Sequence, residues 1–227
     1  MGVIVEQARA LAAEIARDLQ PVADRLIRHP YLAALEAGRI PKGALRLFAG
    51  EQYAIIGSDL RSVARLVSRF GAAPSRDFFL DVLQGERSAS DAVTAFAHAV
   101  GMDEATLRTY EPLPGTHAYT GYMAWLACYA SDAEVAAAYL ANFPAWGQSC
   151  ARMSQALKTE YGLRPADLAF FDLFAAAPPG FEEHALQVIE TGLRAGIDSR
   201  LVRRAARLLQ GYELLFWDTL HEASTVQ

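Results

Sequence analysis

Little in this chain favours a sheet, a membrane span or a nucleic-acid surface. Runs of alternating β-branched residues are missing, so no strand pattern competes with a helical reading. Cysteine is scarce. Cys128 and Cys150 are the only 2, both inside helical patterns, and they read as small buried hydrophobes in a reducing compartment rather than a disulfide framework. No apolar run reaches transmembrane length, and the N-terminus has no apolar stretch followed by a cleavage site. The expectation is a soluble, cytoplasmic protein without a membrane partner. The net charge is −5, and the densest basic cluster, Arg200, Arg203, Arg204 and Arg207, is spread over two helical turns. Such spacing suits a solvated face or a grip on an anion, and it excludes the concentrated basic face that nucleic acid requires. The 5 histidines, His29, His98, His117, His184 and His221, form no i, i+4 pair or other ligand spacing, so no metal is expected. Linkers, low-complexity tracts and repeats are also missing. Residues 1–227 therefore read as a single domain, long enough for a sizeable core.

What is present is helix-forming. Hydrophobic residues make up 52% of the chain, largely Ala and Leu, and the fold class expected is all-α. Apolar spacing places helices near 3–19, with Ile4, Ala8, Leu11, Ala12 and Ile15 on one face, and then at 30–37, 42–69 and 75–100. Pro21 is expected to bend or restart the first, and Gly85 to interrupt the fourth. Further helices are expected at 117–129, 133–159, 167–176, 180–195 and 199–221. Ser131 or Asp132 would cap the 133–159 helix, and Pro144 in its middle would bend it over residues 142–147, the kind of kink that often lines a cavity.

The last helix carries the most informative stretch, Tyr212-Glu213-Leu214-Leu215-Phe216-Trp217. Glu213 interrupts an apolar run among aromatics, and a carboxyl against aromatic walls tends to a raised pKa suited to proton transfer near neutral pH. Most helical glutamates simply face solvent. Tyr53, Tyr119, Tyr122, Trp125, Phe143, Trp146 and Phe216 would equally serve to fill a large helical core.

Four blocks in order resemble the TenA/thiaminase II family, within the heme-oxygenase-like group that also holds PqqC-type oxidases. They are His29-Pro30-Tyr31 with Gly38, Pro41 and Glu51-Gln52-Tyr53; Tyr119-Thr120-Gly121-Tyr122-Met123; Phe143-Pro144-Ala145-Trp146; and Tyr212-Glu213-Leu214-Leu215-Phe216-Trp217. The resemblance spans about residues 22–224. It implies a heme-oxygenase-like multi-helix bundle with a central cavity for a small molecule, no cofactor, and a homodimer or homotetramer. It also implies a cavity lined by Gln52, Tyr53, Tyr119, Tyr122, Trp146, Gln148 and Glu213, plus His184 if its helix turns inward. Glu213 falls on the family's acid/base and Tyr119 on its active-site phenol. Two positions depart from the family. Its nucleophilic cysteine falls on Ala145, and Cys150 is five residues on, about 140° around a helix. Its pyrimidine-binding aspartate falls on Gln52, which keeps hydrogen-bonding capacity without charge; Glu51 beside it faces elsewhere.

The resemblance thus implies a TenA-like protein acting on a pyrimidine-like heterocycle without a covalent cysteine step, by water-activated hydrolysis or deamination. A catalytically silent binding module is the first alternative. A metal-free PqqC-like oxidase is the second, with His184 and Arg152 as its only evident His and Arg donors. The di-iron branch of the same fold is disfavoured: Glu86 could match one ligand, but Val93, Phe174, Pro178 and Phe181 stand where others would be needed.

Overall fold

The computed structural model describes residues 2–225, with side chains from residue 6 onward, so Ile4 on the expected first face lies outside the described side chains. Ten α-helices and two short 3-10 turns make up the regular structure of these residues, with no strand among them. The helices are α1 (Gly2–Ile27), α2 (Pro30–Glu36), α3 (Leu45–Arg69), α4 (Ser75–Ala99), α5 (Glu104–Arg108), α6 (Pro114–Tyr129), α7 (Asp132–Thr159), α8 (Ala169–Phe174), α9 (Phe181–Arg194) and α10 (Ser199–Thr225).

Local chemistry sets most of the boundaries. His29 caps α2, its ring Nδ1 accepting the Tyr31 backbone N–H at 3.2 Å, and Pro30 occupies the first turn, where a missing N–H is harmless. Ser131 and Glu134 form a reciprocal capping box at the start of α7, which then continues through Pro144 as one helix. Three boundaries differ from those expected. α1 runs unbroken through Pro21, with Leu19 and Leu26 buried on either side of it. α4 passes Gly85 without interruption, because one helical glycine costs only about 1 kcal/mol while Phe78, Phe79, Val93 and Phe96 of the same helix are buried. α6 begins at Pro114, a turn earlier than expected, because the second proline of the loop serves as a first-turn residue.

α10 packs on α7, α6 and α1; α3 lies against α4 and α6; α9 covers α7 and α1. Their apolar faces build two cores. One is aromatic and centres on Phe48, whose ring lies 5.4 Å from Phe171, 6.1 Å from Phe96 and 6.5 Å from the fully buried Trp217. The other is rich in small residues from α7, where Ala133, Ala136, Ala137 and Ala138 flank Val135 and share the core with Leu11, Ile15, Val188 and Leu209. These small side chains let α9 approach closely, and a Cβ on Gly192 would overlap Ala133. Tyr119 of α6 packs against both cores.

Two surface expectations change. Cys128 is exposed on α6, and only Cys150 is buried. Arg152 is not merely solvated: its guanidinium forks onto Glu36 with two bonds of 2.7 Å and also binds the Ile27 carbonyl, tying α7 to α2 and the end of α1. No described helix is long and apolar enough to cross a membrane.

Candidate functional site

A pocket of about 420 Å³ lies where residues of the two cores meet, walled by α3, α4, α6, α7, α8, α9 and α10. Helical spacing explains how each wall forms. Gln52, Ile55, Ile56 and Asp59 recur at three- and four-residue steps along α3, and Tyr139, Asn142, Phe143 and Trp146 do the same along α7. Glu213 and Phe216 project from α10, Tyr119 from α6 and Glu86 from α4, while Phe174 and Phe181 add aromatic surface.

Glu213 is 4% exposed and held at both oxygens. Asn142 Nδ2 donates to Oε2 at 2.6 Å, and the Trp217 indole N–H, one turn on, donates to Oε1 at 3.2 Å. The Asn142 amide also reaches Gln210 Oε1 at 3.4 Å, and Gln210 Nε2 donates to the Ala141 carbonyl at 2.9 Å, which ties the pair of helices together beside the carboxyl. Burial pushes the Glu213 carboxyl above the usual range, against the opposing pull of the Asn142 and Trp217 hydrogen bonds. The result is a fixed carboxyl able to hold or release a proton. Burial also drives the Tyr119 phenol well above its ordinary value, reinforced by the Asp59 and Glu213 carboxyls, so it stays protonated as a donor.

Also on the pocket wall, Asp59 and Glu86 form a second acidic group. Burial lifts Asp59 to about 7, and burial together with the neighbouring Asp59 lifts Glu86 well above the usual carboxyl range. Asp59 Oδ1, Glu86 Oε2 and the Tyr139 hydroxyl are buried without a hydrogen-bond partner.

Of the residues singled out in the sequence, Gln52, Tyr119, Trp146, His184 and Glu213 lie on the pocket wall. His184 sits at the mouth, 46% exposed, with Nδ1 3.3 Å from Asp81. Tyr53, Tyr122 and Gln148 do not line the pocket. Tyr53 is one residue past Gln52, about 100° around α3, and packs on the aromatic core instead. Tyr122 stacks between Trp125 at 6.0 Å and Tyr212 at 5.0 Å, on the α6–α10 side. Gln148, two residues past Trp146 and about 200° around α7, is exposed. Asp59 and Tyr139 were not singled out, and Asn142 entered only as the first residue of the 142–147 stretch expected to line a cavity, which it does. Their signal was present: Asp59 lies two turns past Gln52, and Asn142 immediately precedes the Phe143-Pro144 block.

Glu51 is buried but serves the scaffold, accepting from Tyr110 Oη at 2.7 Å and from the Leu113 N–H at 3.0 Å. Ala145 is buried, and Cys150 is fully buried away from the wall, its thiol pushed up by burial and by the Glu213 carboxyl. Among the described residues, no group of three or more His, Cys, Asp and Glu side chains gathers as a metal site.

The TENA/THI-4/PQQC family model matches residues 16–222 of this chain. No curated protein matches it in sequence. Its fold is similar to that of a TenA homolog from Pseudomonas syringae pv. tomato str. DC3000, with a TM-score of 0.78 at 16% identity over 94% of this chain and 93% of that one. A TenA homologue from P. horikoshii OT3 gives a TM-score of 0.74 at 14% identity, over 92% of this chain and 97% of the other. A domain of unknown function with a heme oxygenase-like fold from Shewanella denitrificans OS217 gives 0.72 at 16% identity, over 92% and 90%.

Proposed function

The chain belongs to the TENA/THI-4/PQQC family, and from that premise we propose that it is a TenA-like protein that binds a small, flat, pyrimidine-like heterocycle and converts it without a covalent cysteine step. The observation that carries this reading is Glu213, a buried carboxyl with a raised pKa, fixed by Asn142 and Trp217 on the wall of an aromatic pocket. Flat rings stack against Phe143, Trp146 and Phe216, while Gln52 and the Tyr119 phenol offer hydrogen bonds that orient them.

In this role Glu213 takes a proton from water as the water oxygen bonds to the carbon bearing an amine. It then returns the proton to nitrogen as the C–N bond breaks, and ammonia leaves. Ala145 supports the non-covalent form of the reaction, since a methyl group cannot attack carbon. The same alanine favours a second reading, a pocket that binds the heterocycle and does not convert it.

Glu213→Gln tests both. Glutamine keeps the shape of the side chain and one of its two acceptor oxygens, so the fold and ligand-induced thermal stabilisation should persist. Product formation should fall by about two to four orders of magnitude. Unchanged turnover would remove Glu213 from the mechanism. A wild type that is stabilised by aminopyrimidines yet releases no ammonia would establish the binding module.

A further inference from the structure

We propose that His29 is a positioning residue for Glu213, acting through Trp217. The proposal rests on Glu213 being the working carboxyl of the pocket. It gives a role to the His29-Pro30-Tyr31 block, which lies off the pocket wall.

Pro30 restricts the residue before it to extended backbone, and His29 sits there at φ −60° and ψ 138°. Its side chain is 3% exposed and bonded at both ring nitrogens. Nδ1 accepts the Tyr31 N–H at 3.2 Å, so Nε2 carries the ring proton and donates to Asp218 Oδ1 at 3.0 Å. The neutral ring therefore joins the start of α2 to α10, one residue past Trp217. A second proton has only Nδ1 to occupy, where it would face the Tyr31 N–H and undo the cap of α2.

Trp217 is fully buried, its ring 6.0 Å from His29 and 5.7 Å from Tyr31. Trp146 and Phe48 pack on it at 6.0 and 6.5 Å. Apolar burial is non-directional, so it holds the indole in place without aiming its N–H. The directional bonds are Trp217 to Glu213 Oε1 at 3.2 Å, one turn back on α10, and His29 to Asp218. Tyr31 adds none, its hydroxyl being buried without a partner. By anchoring Asp218, His29 fixes the stretch of α10 from which the indole reaches Glu213.

The groups facing His29 are Asp218 and His221 of α10 and Arg25 of α1. Burial holds its pKa below the ordinary histidine value, against the hydrogen bond and charge of Asp218, while His221 and Arg25 add to the lowering. The ring is thus neutral at pH 7. Glu213 lies within electrostatic reach of Tyr119 on α6 and Cys150 on α7, both kept protonated by burial. Its titration therefore reports its own two hydrogen bonds, from Asn142 and Trp217, which favour the ionised carboxyl. A misaimed indole lets that pKa rise further.

The test is titration of the Glu213 carboxyl in the full chain, followed by NMR of its carboxyl carbon. In His29→Asn the amide oxygen still caps α2, so the fold should persist, but the side chain is too short for Asp218. Its Glu213 midpoint should move up by about half to one pH unit, the scale of one hydrogen bond. His29→Gln, whose amide N–H reaches Asp218, should restore the wild-type midpoint. Trp217→Phe should show the shift of His29→Asn, and the double variant no more than either alone. A merely structural role for His29 would lower stability and leave the midpoint in place. An unmoved midpoint in His29→Asn, a Gln variant shifted as far as the Asn variant, or shifts that add in the double variant overturns the proposal. Turnover of Glu213→Gln is read separately. A moved midpoint with unchanged turnover keeps the His29–Trp217–Glu213 coupling and removes Glu213 from the mechanism; an unmoved midpoint with lost turnover does the reverse.

Discussion

Asp59→Asn removes one buried acid whose protonation is tied to folding. Burial raises its pKa from 3.8 to about 7, so between these values the folded protein binds a proton that the unfolded chain does not. The sign follows directly. Stability is highest below the unfolded pKa and falls as pH rises towards the folded one, since the unfolded chain gains by ionising while the folded carboxyl stays neutral. The gap of about three pH units corresponds to roughly 4 kcal/mol, of which about 2 is already lost by pH 5. Asparagine resembles the neutral acid in shape and never ionises, so it escapes the loss. It also brings an amide N–H pair that needs partners, which offsets part of the gain. The expected result is that Asp59→Asn stabilises the protein by about 2 to 3 kcal/mol more at pH 8 than at pH 5. Urea unfolding at both pH values, with wild type and variant compared at each, measures that difference. An equal effect at the two pH values, or a greater loss at pH 8, would show that Asp59 is held ionised and refute the reasoning.

The two cysteines should separate cleanly. Cys128 is exposed and Cys150 is buried with a raised thiol pKa, so a thiol reagent should modify one cysteine in the native protein and the second only on unfolding. Rapid native modification of both would contradict that packing. Glu51→Ala should destabilise the protein by about 2 to 4 kcal/mol, because Tyr110 Oη and the Leu113 N–H lose their acceptor. Denaturant unfolding checks the loss, and a change below about 0.5 kcal/mol would mean that water replaces the carboxylate.

Much of the helical layout was legible in the chain because its causes are local. The periodicity of Ala8, Leu11, Ala12 and Ile15 and the Ser131 cap each act within a turn or two. The exceptions, α1 through Pro21 and α4 through Gly85, arise where burial on both sides outweighs a local breaker. Glu213 stood out as a carboxyl in an aromatic run, and its place on a pocket wall follows from one face of one helix.

Which other residues join it was a tertiary matter. Gln52 and Tyr53 are neighbours in sequence and differ by about 100° of rotation, and only the packing of α3 against α4 and α6 turns Gln52 to the pocket and Tyr53 to the aromatic core. Tyr122 and Gln148 had suitable chemistry but the wrong azimuth. Asp59, Glu86 and Tyr139 come from three helices, and no local rule relates their spacing. The sequence determined which segments are helical and supplied the acid, the aromatics and the family blocks. The meeting of three carboxyls in one pocket was decided by helix packing, because a helix's rotation about its axis is set by the neighbours it buries its side chains against.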